Sequence, residues 1–178
     1  MSQPNIVICP GIHSPQLTID FVRHTQSIIG QDRLVLPTTE YAPYNAIAIE
    51  QWLKQYYPSP IDAPPLSFIA FSAGVVGGIV AANRWQLQGG EIDKFMAFDG
   101  WGMPLTGNFP IYRVSHDRFT HWSSSLLGSG ESGFYAEPAV EHLDLWRSPH
   151  ICRGWQTISP GFKIRCSLTN YLNNILNS

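Results

Sequence analysis

Ser72 closes an unbroken apolar run, Leu66-Ser67-Phe68-Ile69-Ala70-Phe71, and has a small residue two positions away on either side, Ala70 before it and Gly74 after it. That is how a nucleophilic serine is presented. A strand over 66–71 would run into a turn so tight that only small side chains fit at those two positions, and the turn pushes the hydroxyl outward. The segment after Ser72 reads as a helix, whose first unpaired N–H groups and dipole favour developing negative charge. A strand-to-helix turn with serine as an ordinary N-cap uses the same residues, so the rest of the chain has to supply the partners. A serine hydroxyl attacks a carbonyl effectively only when an imidazole takes its proton and a carboxylate orients that imidazole. Asp99 follows the apolar run 94–98, Asp117 follows the run 110–115, and His142 follows the run 133–140.

The elements that must position these residues alternate regularly. Residues 5–9 form a short apolar strand broken by Pro10-Gly11, and a helix follows over 15–29. A second strand covers 33–38, and 46–54 has the apolar spacing of an amphipathic helix. The serine strand comes next, then a helix over 73–87 that stops at Gly89-Gly90, then strands over 94–100 and 110–115, a helix over 119–127, a strand over 133–140 and a final helical region. This rhythm predicts an α/β fold: a three-layer α/β/α sandwich around a mainly parallel sheet of about six strands, with functional loops at the carboxyl ends of the strands. The Pro-rich stretch 57–65 reads as a connection inside one domain that takes in the whole chain, 1–178.

A serine elbow, then a carboxylate after a later strand, then a histidine after the last one is the order of a Ser, Asp, His triad in α/β-hydrolases. The sequence resembles that superfamily over residues 5–155. In the family roughly 25 to 30 residues separate the acid from the histidine, and residue 117 stands 25 positions before residue 142 here. The resemblance implies Ser72 as nucleophile, His142 as base and Asp117 as orienting acid, with Asp99, which also ends a strand, as the alternative acid. It further implies an oxyanion hole made by the backbone N–H groups of Ala73 and of Ile12, the latter in the loop Pro10-Gly11-Ile12-His13. Ala70 replaces the usual elbow glycine, and Pro10 stands where the family often has histidine. The connection 100–109 leaves no room for a lid, so the resemblance is to the small capless members of the lipase and cutinase kind.

The expected activity is hydrolysis of a carboxylic ester or thioester of a small molecule through an acyl-enzyme, with no metal and no organic cofactor. The alternative is a catalytically inactive binding or scaffold protein that keeps the fold. The segment His116-Asp117-Arg118-Phe119-Thr120-His121 puts two imidazoles near a carboxylate, but a spacing of five does not place both on one helical face, so His116 and His121 are expected on a loop and a helix surface. Gly77-Gly78 lacks the Lys-Ser or Lys-Thr of a phosphate loop and is expected to serve close helix-to-sheet packing. Trp101, Met103, Trp122 and Phe134 are candidates for an apolar acyl groove.

Composition narrows the partners. A net charge of −2 with 13% charged residues and no Lys or Arg cluster lacks the footprint of a nucleic-acid binder. No apolar run approaches the length of a membrane span, and the first residues lack a basic segment followed by an apolar one, so a cytoplasmic protein is expected. Cys9, Cys152 and Cys166 suit neither a CxxC pair nor a disulfide framework, and are expected as reduced thiols.

Overall fold

The structure, a computed structural model, describes residues 5–100, 102–126, 132–159 and 161–177. Its strands are β1 (Ile6–Cys9), β2 (Arg33–Val35), β3 (Leu66–Phe71), β4 (Ile92–Phe98), β5 (Ile111–Ser115), β6 (Ser132–Ala136), β7 (Arg153–Ser159) and β8 (Phe162–Ser167). Six α-helices are described: α1 (Pro15–Ile29), α2 (Ala46–Leu53), α3 (Ala73–Leu87), α4 (Arg118–Ser125), α5 (His142–Arg147) and α6 (Leu168–Leu176). The strands form one sheet in the order β2-β1-β3-β4-β5-β6-β7-β8, parallel from β2 through β6 and antiparallel from β6 to β8. The fold is therefore α/β with a mixed, mostly parallel sheet.

Eight strands replace the expected six, and the difference lies after His142, where a helical region was expected. There β7 and β8 form a hairpin, and only α6 is helical. The run Phe162-Lys163-Ile164-Arg165-Cys166 alternates apolar and polar residues with period two, the mark of a strand with one wet face. The strand expected over 133–140 ends at Ala136, because Pro138 has no N–H to give a ladder.

β3 is buried along its whole length and divides the core between its two faces. Phe68 and Ala70 point to one side, where Ile49 and Trp52 of α2 and Val75, Ile79 and Trp85 of α3 cover them. Ile69 and Phe71 point to the other, against Phe21 of α1, Leu145 and Trp146 of α5, and Leu168, Tyr171 and Leu172 of α6. Each such side chain gains roughly 1.5–3 kcal/mol from leaving water, so β3, which leads into Ser72, is held from both faces. Gly77 and Gly78 do allow close approach, in two directions. A Cβ on Gly77 would stand 2.2 Å from the Pro43 carbonyl oxygen, whereas one on Gly78 would meet Ala70 and Phe95 at 3.5 and 3.4 Å.

Helix ends follow local chemistry. Ser14 caps α1 ahead of Pro15, and Asn45 caps α2 by accepting from the N–H groups of Ile47 and Ala48. No described helix is long and apolar enough to cross a membrane. Cys9, Cys152 and Cys166 are free thiols, and burial pushes the first two up to about 12, with the Asp99 charge adding to the effect on Cys152.

Candidate active site

The carboxyl ends of β1, β3, β4 and β5 and the loop after β6 converge on one place. Ser72 has φ 52° and ψ −119°, and Asp99 has φ 48°; among the described residues these are the two non-glycine residues with positive φ. A left-handed backbone costs a side-chain-bearing residue roughly 1–3 kcal/mol and persists only where surrounding structure enforces it. Here the ladder does so: Ser72 N–H donates to the Phe98 carbonyl at 2.9 Å and Asp99 N–H to the Val114 carbonyl at 2.8 Å.

Small residues then bring the loops in. A Cβ on Gly74 would fall 2.1 Å from the Cys9 carbonyl oxygen and 2.4 Å from that of Pro10, so the start of α3 lies directly on the end of β1. A Cβ on Gly11 would sit 3.0 Å from Ser72 Cβ, which places the loop Pro10-Gly11-Ile12-His13 beside the serine. Ala73 N–H is the first of α3 and has no acceptor inside the helix. Ile12 follows Gly11 and is 72% exposed, so its side chain is free to border a ligand.

His142 opens α5 and donates from Nδ1 to Asp99 Oδ2 at 2.8 Å. Its ring stacks on Phe71, the residue before the serine, with centroids 4.7 Å apart. Phe71 in turn stacks on Trp146, and Trp146 on Phe21 at 3.7 Å. The His142 ring is thus held from below by the last residue of β3. Because a carboxylate only accepts, the bond to Asp99 puts the proton on Nδ1 of neutral His142 and leaves Nε2 as a lone pair, the tautomer that can take a hydroxyl proton. No hydrogen bond joins Ser72 Oγ to His142 among the described residues, and the Oγ does not cap α3 either.

The carboxylate hydrogen-bonded to His142 is Asp99, the alternative acid, and not Asp117. Asp99 is fully buried and carries three hydrogen bonds: His142 Nδ1 and His116 Nδ1, at 2.8 and 2.9 Å, both reach Oδ2, and the His116 backbone N–H reaches Oδ1 at 2.9 Å. Asp117 instead caps α4, accepting from Thr120 N–H at 2.6 Å. Partial burial pulls its carboxyl up, but the bonds from Thr120 and the nearby His116 outweigh this and leave it below its ordinary value. Spacing along the chain favoured Asp117. In space the contact is settled by Val140 N–H, which donates to the His116 carbonyl at 3.0 Å and brings the segment before His142 across β5 to the end of β4.

His116 was expected on a loop and not at Asp99; its place directly after a strand was visible, but by itself that place does not separate a solvent-facing histidine from one on a buried carboxylate. His121 is not with it: it packs on Gly133 and Tyr135, with burial and Arg113 holding it down at about 4. Asp99, His116 and His142 are the described trio whose metal-ligand atoms gather within 4.8 Å, and the two bonds to one carboxylate oxygen account for that gathering. His13 stands at the rim, its Nδ1 on the Ser14 carbonyl at 2.9 Å and its ring 5.6 Å from Phe71. Burial and the neighbouring His142 keep His13 below its ordinary value, the first effect being the larger. Of the expected groove residues, Phe134 is wholly in the core, Met103 packs against the core under α2 and α3, and Trp122 stands 58% exposed on α4. Trp101 lies outside the described residues.

Compared with protein-family models and with curated proteins, the sequence matches none.

Proposed function

We propose that this protein is a serine hydrolase built as a small, capless α/β-hydrolase, with its sheet packed between two helical layers, and that it cleaves a carboxylic ester or thioester through an acyl-enzyme. The observation that carries the reading is the His142 Nδ1 to Asp99 Oδ2 bond at 2.8 Å beside a serine forced to positive φ at a strand-to-helix turn. Strain in a polar, buried setting is characteristic of a working site.

Ser72 Oγ attacks the carbonyl carbon while its proton passes to His142 Nε2; the new C–O bond forms as the carbonyl π pair moves onto oxygen. The N–H groups of Ala73 and Ile12 receive that oxyanion, and one such donor is worth roughly 3–4 kcal/mol in the transition state. Collapse breaks the bond to the leaving oxygen or sulfur, which takes the proton from His142. Water then repeats the sequence on the acyl-enzyme, with His142 again as base. Asp99 orients His142 and stabilises its cation. Ile12, exposed at the rim, favours moderately apolar acyl groups, and the carboxylates around the imidazoles disfavour anionic ones.

The test is labelling by a fluorophosphonate of wild type, Ser72→Ala and His142→Ala, followed by turnover of p-nitrophenyl esters of graded acyl length. Labelling of wild type alone, with hydrolysis of some ester, is the expected result. Folded wild type that resists the probe overturns the reading in favour of a binding protein on the same scaffold.

A further inference from the structure

Three of the four groups of His116 that can make a hydrogen bond are directed at Asp99 and at the segment before His142. The backbone N–H holds Asp99 Oδ1, the ring Nδ1 lies 2.9 Å from Asp99 Oδ2, and the carbonyl accepts from Val140, two residues before His142. The far ring nitrogen, Nε2, stands 3.6 Å from Asp117 Oδ2. The rings of His116 and His142 meet edge to face, 6.0 Å between centroids. A triad aspartate ordinarily serves one imidazole; here a single oxygen serves two.

We infer that His116 is a positioning residue that acts through Asp99, fixing the carboxylate in line with His142 and taking a share of the negative charge that His142 would otherwise have to itself. A hydrogen bond to an ionised carboxylate stabilises and spreads its charge, so less of it is left to favour the imidazolium that forms on His142 during catalysis. The second imidazole also removes rotational freedom: Asp99 cannot turn Oδ2 away from His142 without breaking the bond to His116 as well. The ionisable groups facing the pair are Asp99 from the end of β4, Asp117 from the start of α4, His13 from the loop after β1 and Cys152 ahead of β7, with Glu141 and Asp144 on the segment of His142 itself. Cys152 is neutral at ordinary pH, its thiol pushed up to about 12 by burial and by Asp99. Asp117 is the carboxylate on the outer side of His116, opposite Asp99.

The inference rests on the serine-hydrolase reading for its kinetic consequence, but not for its structural one, and the experiment separates the two. Nitrogen-15 NMR of the imidazoles follows the titration of His142 in wild type, His116→Leu and His116→Asn, with thermal unfolding measured beside it. Asn keeps an N–H where Nδ1 stands, whereas Leu fills the space without a donor. The His142 midpoint is expected to move to higher pH by roughly half a unit or more in the Leu variant and to return towards wild type in the Asn variant. The acid limb of fluorophosphonate labelling should move the same way, because labelling needs neutral His142. An unmoved midpoint in folded His116→Leu, or the same shift in both variants, overturns the inference. A shifted midpoint in protein that no fluorophosphonate labels, wild type included, keeps the shared-oxygen coupling and removes the hydrolase reading instead. Should the Leu variant not fold, His116→Gln takes its place with the same expected shift, since its amide extends towards the Nε2 position and not towards Nδ1.

Discussion

Two neighbouring strands are each followed within two residues by an aspartate, and the two residues have little else in common. Asp99, after β4, is fully buried, sits at positive φ and receives three hydrogen bonds, two of them from imidazoles. Asp117, two residues beyond β5, has an extended backbone, a side chain 30% exposed and the ordinary duty of a helix N-cap. An exposed cap needs only an acceptor, and Ser, Thr or Asn would do as well. A buried carboxylate needs its charge compensated from several directions at once, because burial otherwise costs several kcal/mol. The site is therefore marked by the convergence of donors on one carboxylate and not by the presence of an acid at a strand end.

The largest expected effect follows from that convergence. Asp99→Asn keeps the shape but offers an amide N–H₂ or a neutral oxygen to two imidazoles and a backbone N–H. His142 then loses both its orientation and the charge that stabilises its cation. The rate of fluorophosphonate labelling should fall by roughly 10³-fold or more, the scale on which triads lose activity when the acid is neutralised, while Asp117→Asn stays within about threefold of wild type. Equal loss in both variants would assign the acid's role to the two residues together and dissolve the distinction between them.

Glu50 sharpens the comparison, because it is a well-buried carboxylate outside the site. It joins α2 to α3, accepting from Lys54 at 2.9 Å and from Arg84 at 2.7 Å. Burial pushes its carboxyl up, but the bonds from Lys54, Arg84 and Gln88 win and hold it at about 2. A carboxyl lower in the folded state than in the unfolded chain stabilises the protein above its ordinary value of 4.5, and that contribution is lost as pH falls from there towards about 2. Glu50→Gln should cost about 1–2 kcal/mol at pH 7 in urea unfolding and flatten the acid side of the stability profile, with labelling at neutral pH unchanged. Loss of labelling in this variant would show that burial of a carboxylate anywhere in the fold, and not its place after β4, is what the site requires.

Much of this was legible in the sequence. The tight strand-to-helix turn at Ser72 could be read because its requirements are local: an apolar strand, Ala70 and Gly74 at the right offsets, and a helix beginning at Ala73. The parallel part of the sheet was legible for the same reason, since each buried strand is a short apolar run bounded by turn residues. The choice of acid was not, because it depends on how far the segment before His142 crosses the sheet, and a backbone bond from Val140 to His116 decides that without leaving any mark in residue types. His116 escaped for a related cause: a histidine after a strand has the same appearance whether it faces solvent or a buried carboxylate. The hairpin β7–β8 had a visible signal, the alternation from Phe162 to Cys166, but it came after the last functional motif, where a terminal helix was expected.

The smallest effect belongs to Asp117 and separates its two possible contributions. As the N-cap of α4 it satisfies the Thr120 N–H, and replacing a cap by alanine costs about 1 kcal/mol. Its carboxylate also faces the outer nitrogen of His116 at 3.6 Å, which is too long for a good hydrogen bond and is partly screened by solvent. Asp117→Ala should therefore lower stability by about 1 kcal/mol in urea unfolding and leave the labelling rate within about threefold of wild type, and Asp117→Asn, which keeps the cap but not the charge, should recover most of the stability. If the Asn variant keeps full stability yet labels more than tenfold more slowly, the charge of Asp117 reaches His142 through His116 and Asp99, and the chain of contacts from β5 to His142 is electrostatic as well as mechanical.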